Sequence, residues 1–369
     1  MPPIKQLMPA VPGWSHLLMA FLALGACGSL TPVSPPVVDQ LNLAALSAEV
    51  DAGAFGRIAA VVVSQGGTVV FEDYFASQSP DGLVDMRSAG KSLTAIAAGI
   101  AIEEGLISGV DAPVISVFAD RAPIALDGEI KRSIVLRDLL TMRSALDCND
   151  WRPSPGNEER MYRTRDWTRF ALDLPVDPRA SAAAGGASRF SYCTAGVFLI
   201  GQMIERESAE RFDRYVASRV FDQIGVTDVE WTRSPSGEIQ SGGQLGLRAR
   251  DAERIGRLVL NEGRWGGQQI VPAAWIAEMV TPASWPRQDL SYGYLWWRGE
   301  FRVGASVRTV DTIMMMGNGG NIVAVIPEYD AVVVVQSRNY NTPGDFERSR
   351  DLIERFVLDG LADRDARTR

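Results

Sequence analysis

Residues 89–102, Ala-Gly-Lys-Ser-Leu-Thr-Ala-Ile-Ala-Ala-Gly-Ile-Ala-Ile, are apolar on almost every side when wound into a helix. Such a helix has to be enclosed by the rest of its domain. Leu93, Ile96, Ile100 and Ile102 supply bulk at helical intervals, and Ala95, Ala97, Ala98, Gly99 and Ala101 let neighbouring elements come close. Ser88 and Lys91 stand at its head, three residues apart and therefore on one helical face. The free N–H groups and positive dipole end of an enclosed helix point at whatever is built on Ser88, a setting that favours an oxyanion.

Only three of the 37 basic residues are lysines: Lys5, Lys91 and Lys131. Arginine does not give up its proton inside a protein, whereas a desolvated lysine can be driven towards neutrality and serve as a base. The plainer alternative is a serine N-cap followed by a solvated lysine, because Ser-x-x-Lys arises often by chance.

The 369 residues suffice for one large or two interleaved domains, and 46% hydrophobic with 22% charged residues describes an ordinary globule. A net charge of -8, with no basic cluster interleaved with aromatics, argues against a nucleic-acid partner. Residues 1–26 differ: Lys5 precedes Leu17–Ala26, an apolar core too short to span a bilayer, which is signal-peptide geometry. Leu24-Gly25-Ala26-Cys27 resembles the cleavage box of bacterial lipoproteins, with Cys27 as the lipidated first residue; an ordinary signal peptide is the alternative. Gly28 in second place resembles lipoproteins passed to an outer membrane. Residues 27–44 then read as a tether, and the expected location is the bacterial cell envelope, on its outer-membrane or periplasmic side. The sole histidine, His16, falls in the segment to be removed, so the mature chain has no imidazole for a Ser-His-Asp triad.

Residues 57–64 and 68–75, joined at Gln65-Gly66-Gly67, read as a β-hairpin. Residues 135–142, 166–174, 194–207, 209–224, 249–261 and 272–280 carry apolar side chains at helical spacing. Residues 292–297, 307–315, 321–325 and 331–336 read as a strand meander, and 346–361 as a closing helix. The class is therefore α+β: an antiparallel sheet built from both chain ends (45–87 and 290–362), flanked by helices, with a mostly helical domain inserted along with the central helix (88–289).

Two further stretches bear on chemistry. Tyr192 sits where a loop turns into the apolar helix from Thr194, and its phenol has the reach to relay a proton with Lys91, whose ammonium favours phenolate. A tyrosine packed in the core is the structural alternative. Between two strands, Met315-Met316-Gly317-Asn318-Gly319-Gly320-Asn321 has glycines that let backbone N–H groups face a ligand, and otherwise is a glycine-rich hairpin.

Together, in type and order, these stretches resemble the serine β-lactamase and penicillin-binding-protein superfamily. The likeness is strongest to its class C-like branch of D-alanyl-D-alanine carboxypeptidases, esterases and nylon-oligomer hydrolases. Residues 139–144, Tyr292-Gly293-Tyr294 and Val325-Ile326-Pro327-Glu328 resemble framework segments of that family. The resemblance implies a β-lactamase-like fold, Ser88 as acylated nucleophile, Lys91 as activating amine and Tyr192 as the phenol that shuttles the proton to the leaving group. It implies an oxyanion site from the Ser88 and Asn318 N–H groups, with Gly317 and Gly319 as alternatives in register. Thr194 takes the place of the family's asparagine or serine, and Tyr162 resembles a site-facing position of the nylon-oligomer hydrolases.

One departure stands out. Relatives that recognise a substrate carboxylate place Lys or His, then Thr or Ser, before the glycine, where this chain has Met315-Met316. The expectation is a serine hydrolase of uncharged esters or short linear amides, without cofactor. The rivals are a β-lactamase or D-alanyl-D-alanine peptidase of the cell wall, and a non-catalytic envelope ligand-binding protein of the same fold. Cys148 and Cys193 form an even pair that invites a disulfide in an oxidising compartment, and neither has a partner at metal-ligand spacing. Trp151, Tyr162, Trp167, Trp296 and Trp297 are candidate pocket walls.

Overall fold

The structure, a computed structural model, describes residues 40–180 and 189–368. The expected signal peptide, Cys27 and the expected tether up to residue 39 lie outside them. The expected tether overlaps a helix, Gln40–Asp51. No helix among the described residues is long and apolar enough to cross a membrane.

A seven-stranded antiparallel sheet organises the chain. In spatial order its strands are Thr68–Tyr74, Ile58–Gln65, Ala331–Ser337, Asn321–Ile326, Thr309–Gly317, Trp297–Arg302 and Leu290–Tyr292. The front hairpin joins the back meander where Ile58–Gln65 pairs with Ala331–Ser337, Val61 facing Val335 and Val63 facing Val333. Every residue of Ala331–Ser337 and of Asn321–Ile326 is buried, so helices must cover both faces. On one face lies the Ala249–Leu260 helix, with Gly256 against Val323 and Val332. The sequence places these strands and most helices within a residue or two. It misplaces residues 292–297, which are two strand ends joined by a tight turn: Gly293 N–H donates to Trp296 C=O, and Leu295 takes a φ of 60°. Unbroken apolar character hid that bend. The 209–224 segment is helical but changes pitch at Ala217–Phe221, where the turn widens.

Twelve consecutive residues, Gly90 to Ala101, are buried in the Gly90–Glu103 helix. Its few polar groups are tied to neighbours: Ser92 Oγ donates to Leu295 C=O (2.7 Å), and Trp296 Nε1 donates to Ser92 C=O (3.2 Å). Trp275 Nε1 donates to Ala95 C=O (2.9 Å), laying its indole where a Cβ on Gly99 would come within 2.1 Å of the ring. Alanine at 99 gains about 1 kcal/mol of helix propensity, and the overlap with a pinned ring costs up to about 3 kcal/mol. Gly99→Ala is therefore expected to lower stability by about 1–2 kcal/mol, and an unchanged denaturation midpoint would contradict this packing.

Candidate active site

The residues ahead of Ser88 are fixed by a small second sheet of Val84–Asp85, Leu245–Leu247 and Glu230–Trp231 that the sequence reading missed. Met86 N–H donates to Leu245 C=O (2.9 Å) and Gln244 N–H to Arg87 C=O (3.0 Å). Arg87 then adopts a φ of 51°, and Arg87–Ala89 form a 3₁₀ turn that leads into the buried helix. Ser88 thus lies on a tight turn two residues before the helix, instead of opening it. Gly243 and Gly317 press on that turn from two sides. A Cβ on Gly243 would lie 3.0 Å from Arg87 C=O, and one on Gly317 would lie 1.9 Å from Met86 C=O. Gly317 thereby lets the Thr309–Gly317 strand reach the serine.

Ser88, Lys91 and Tyr192 are brought together. Lys91 is buried, and its Nζ donates to Ser88 Oγ at 3.0 Å. The same nitrogen stands 5.0 Å from the centre of the Tyr192 ring, and the Tyr192 phenol lies close enough to Ser88 to feel its side chain. Burial raises the Tyr192 pKa, outweighing the lowering by the Lys91 charge and by the Ser88 side chain. The Lys91 charge alone would point the other way. The resting group is a neutral phenol, equipped to donate a proton.

Behind these three lies a carboxylate cluster that no sequence pattern announced. Asp150 accepts from the backbone N–H groups of Thr194 (2.7 Å) and Glu158 (2.9 Å), while its own N–H donates to Tyr192 C=O (2.9 Å). It therefore clamps the chain on both sides of the phenol. Burial first, and the neighbouring Glu158 charge second, push the Asp150 carboxyl up to about 6. Glu158 Oε2 accepts from Tyr162 (2.9 Å) and from Thr194 Oγ1 (3.1 Å). Gln240 Nε2 in turn donates to the Tyr162 hydroxyl at 3.3 Å. Burial and the Glu158 charge hold the Tyr162 phenol well above its ordinary value. The hydroxyl of Thr194 is thus turned towards Glu158.

At the strand edge, the Asn318 side chain is locked to Asn341, donating to its Oδ1 (3.0 Å) and accepting from its N–H (2.8 Å). Among the described residues no acceptor takes the backbone N–H of Ser88 or of Asn318. Gly319 is a correction: its N–H donates to the Asp345 carboxylate and is spent. Its φ of 92° turns it away to make the hairpin, against Tyr340. Ser88 opens onto a narrow cleft of about 60 Å³, lined among others by Arg87, Glu158, Glu159, Tyr162, Asn318 and Asn341. Arg87 is paired with Asp85 at 3.1 Å and stacked on Tyr340, so the cleft is acidic on balance.

Of the proposed aromatic walls, Trp151 is 57% exposed and stacks on Tyr192, ring centres 5.0 Å apart and planes 11° from parallel. Trp297 stacks on the same tyrosine at 6.2 Å. Trp167 and Trp296 are buried core instead, Trp296 through its bond to Ser92. Cys148 and Cys193 are disulfide-bonded, joining the Asp150 loop to the residue after Tyr192. Lys131 is also buried, with Nζ donating to the carbonyls of Ala125 and Leu172 (2.7 and 2.9 Å). Scarcity of lysine therefore does not single out Lys91; its neighbours do.

A family model described as Beta-lactamase matches residues 52–357. A 6-aminohexanoate-dimer hydrolase from Paenarthrobacter ureafaciens is 26% identical over 223 residues, 59% of this chain and 55% of that enzyme. The chain thus matches little more than half the length of this relative. Among solved structures, a mutant simvastatin synthase from Aspergillus terreus aligns with 90% of this chain and 99% of its own, at a TM-score of 0.65 and 17% identity. A D-stereospecific amidohydrolase from Streptomyces aligns with 84% of this chain and 98% of its own, at 0.64 and 18%. At such identities these structures speak for the fold alone. The family match takes in the Ser88 turn, the Tyr192 loop and the Gly317 strand edge, and on that span the chain belongs to the beta-lactamase family of hydrolases, within the serine β-lactamase and penicillin-binding-protein-like superfamily.

Proposed function

We propose that this chain is a serine hydrolase that cleaves an ester or short linear amide through a covalent acyl-enzyme. The observation that carries the reading is the buried Lys91 Nζ at 3.0 Å from Ser88 Oγ, with the Tyr192 ring centre 5.0 Å from the same nitrogen. In this scheme Lys91, acting as the neutral amine, accepts the Ser88 proton as Oγ attacks the carbonyl carbon, and the N–H groups of Ser88 and Asn318 receive the oxyanion. Tyr192, a neutral phenol at rest, donates its proton to the leaving group. Water then releases the acyl group, with the same groups working in reverse. A binding protein of the same fold has no evident use for a buried amine held against a serine. Export as a lipoprotein anchored through Cys27 belongs to the same proposal and rests on residues 17–28.

Substrate charge follows from the cleft. Met315 and Met316 offer no cation, Arg87 is held by Asp85, and Glu158 and Glu159 line the opening. A carboxylate next to the scissile bond, as in penicillins, cephalosporins and D-alanyl-D-alanine peptides, meets no partner and an acidic wall. A p-nitrophenyl ester of a short acid is expected to exceed a chromogenic cephalosporin in kcat/KM by about 10²-fold. Rapid cephalosporin cleavage with an inert ester would overturn the preference in favour of β-lactamase or peptidase activity.

A further inference from the structure

Beyond Trp151 the surface opens into a second and larger cleft of about 590 Å³, whose lining includes Asp150, Trp151, Arg152, Glu159, Arg160 and Arg163. The three arginines are exposed, and among the described residues none of them stands in an ion pair. Other arginines of this region are matched: Arg121 with Asp166, Arg169 with Asp173 and Arg179 with Asp177. Of the acids that face the arginines, Asp150 is committed to the N–H groups of Thr194 and Glu158. Asp177 is held by Arg179 at both oxygens (2.9 and 2.6 Å) and feels Arg152 only through space. Glu159 is the remaining counter-charge, one carboxylate against three guanidinium groups.

Position relates this cleft to the reaction. Trp151 lies face to face with Tyr192, and Tyr192 is the group that serves the departing atom in the scheme above. A leaving group that passes Tyr192 therefore runs along the indole and arrives among the arginines. We propose that this cleft binds the far end of the leaving group, and that this end is an anion, a carboxylate or a phosphate, gripped by Arg152, Arg160 and Arg163. The inference rests on the hydrolase reading and extends it. Negative charge is refused beside the scissile bond and accepted one leaving-group length away, with an aromatic or extended apolar spacer lying on Trp151.

The test uses short-chain esters of p-hydroxyphenylpropanoate, of the corresponding phosphate-ended phenol, and of the neutral amide. The native protein is expected to cleave at least one anionic ester with kcat/KM about tenfold above the amide. The combined variant Arg152→Gln, Arg160→Gln, Arg163→Gln is expected to bring that ratio near one while cleaving the amide ester as before. The phosphate and carboxylate arms show which anion is preferred. Equal rates on all three esters, or a preference that survives in the variant, would overturn the proposal. Binding is read separately from catalysis in Ser88→Ala protein, by the change in tryptophan fluorescence on adding p-hydroxyphenylpropanoate or its amide. Anion-selective binding that the arginine changes remove, with all esters inert, would sink the hydrolase reading and keep the cleft. Brisk hydrolysis with no anion selectivity would sink the cleft and keep the hydrolase.

Discussion

Lys91→Met is expected to leave a folded protein with a near-native denaturation midpoint and to lower kcat on a p-nitrophenyl ester by about 10²–10⁴-fold. Methionine matches the stem of the lysine in volume and flexibility, so the buried helix keeps its packing. What disappears is the amine beside Ser88 Oγ. Without it the serine proton has no base within reach, since Tyr192 is held neutral by its burial and Asp150 is occupied by two backbone N–H groups. Removing a buried amine also relieves its desolvation, which offsets the lost interaction with Asp150. Steady-state kinetics beside a thermal melt checks both halves, and labelling by a fluorophosphonate should slow in parallel with kcat. A variant that keeps full turnover would remove Lys91 from the mechanism; one that unfolds would give it only a structural part.

Gly317→Ala should damage the protein from the other side of the site. Its methyl group would lie 1.9 Å from the Met86 carbonyl oxygen and 3.1 Å from Ala89 N, so the strand and the serine turn cannot both stay in place. Both neighbours are backbone, which has no rotamer with which to yield. Overpacking of this kind costs about 1–3 kcal/mol, and in the proposed scheme the displaced strand carries Asn318 away from the oxyanion. The loss of an oxyanion donor is worth about 10²–10³-fold in kcat. The expected result is a lower melting temperature together with a fall in kcat of at least about tenfold. Gly128→Ala is the control, because Gly128 has open space around it and no left-handed backbone. If Gly317→Ala matches that control in both measurements, the close approach of the strand is not what positions the serine.

The parts of the molecule that are legible in the sequence are those in which chemistry and periodicity share one short segment. Ser88 and Lys91 are three residues apart at the head of an apolar run, and Tyr192 immediately precedes another such run. Their types are informative because a hydroxyl, an amine and a phenol are poor choices for filling a core. Five of the seven strands of the sheet were equally plain from their apolar runs, whereas Leu290–Tyr292 and Trp297–Arg302 were read as one strand at 292–297. Asp150, Glu158 and Gln240 were invisible for the opposite reason. They act across 36 to 44 residues of sequence on Thr194 and across 78 on Tyr162, from loops without periodicity, and nothing local marks which carboxylate turns inward. Gly319 was misread because one glycine in a turn looks like the next, and only the fold shows that Asp345 claims its N–H. The arginines at 152, 160 and 163 stood out only once the fold showed them lining one cleft.

The strand Ala331–Ser337 lies third of seven in the sheet, between a partner from residues 58–65 and one from 321–326. Nearly the whole polypeptide therefore has to be available before its first long strand can acquire its inner neighbour, and closure across so wide a separation is slow. A nascent or truncated chain ending short of residue 337 has the serine, the amine and the phenol in its sequence but no way to complete the layer that supports them. Its valine-rich hairpin would stay unsealed along one side, ready to pair with other chains.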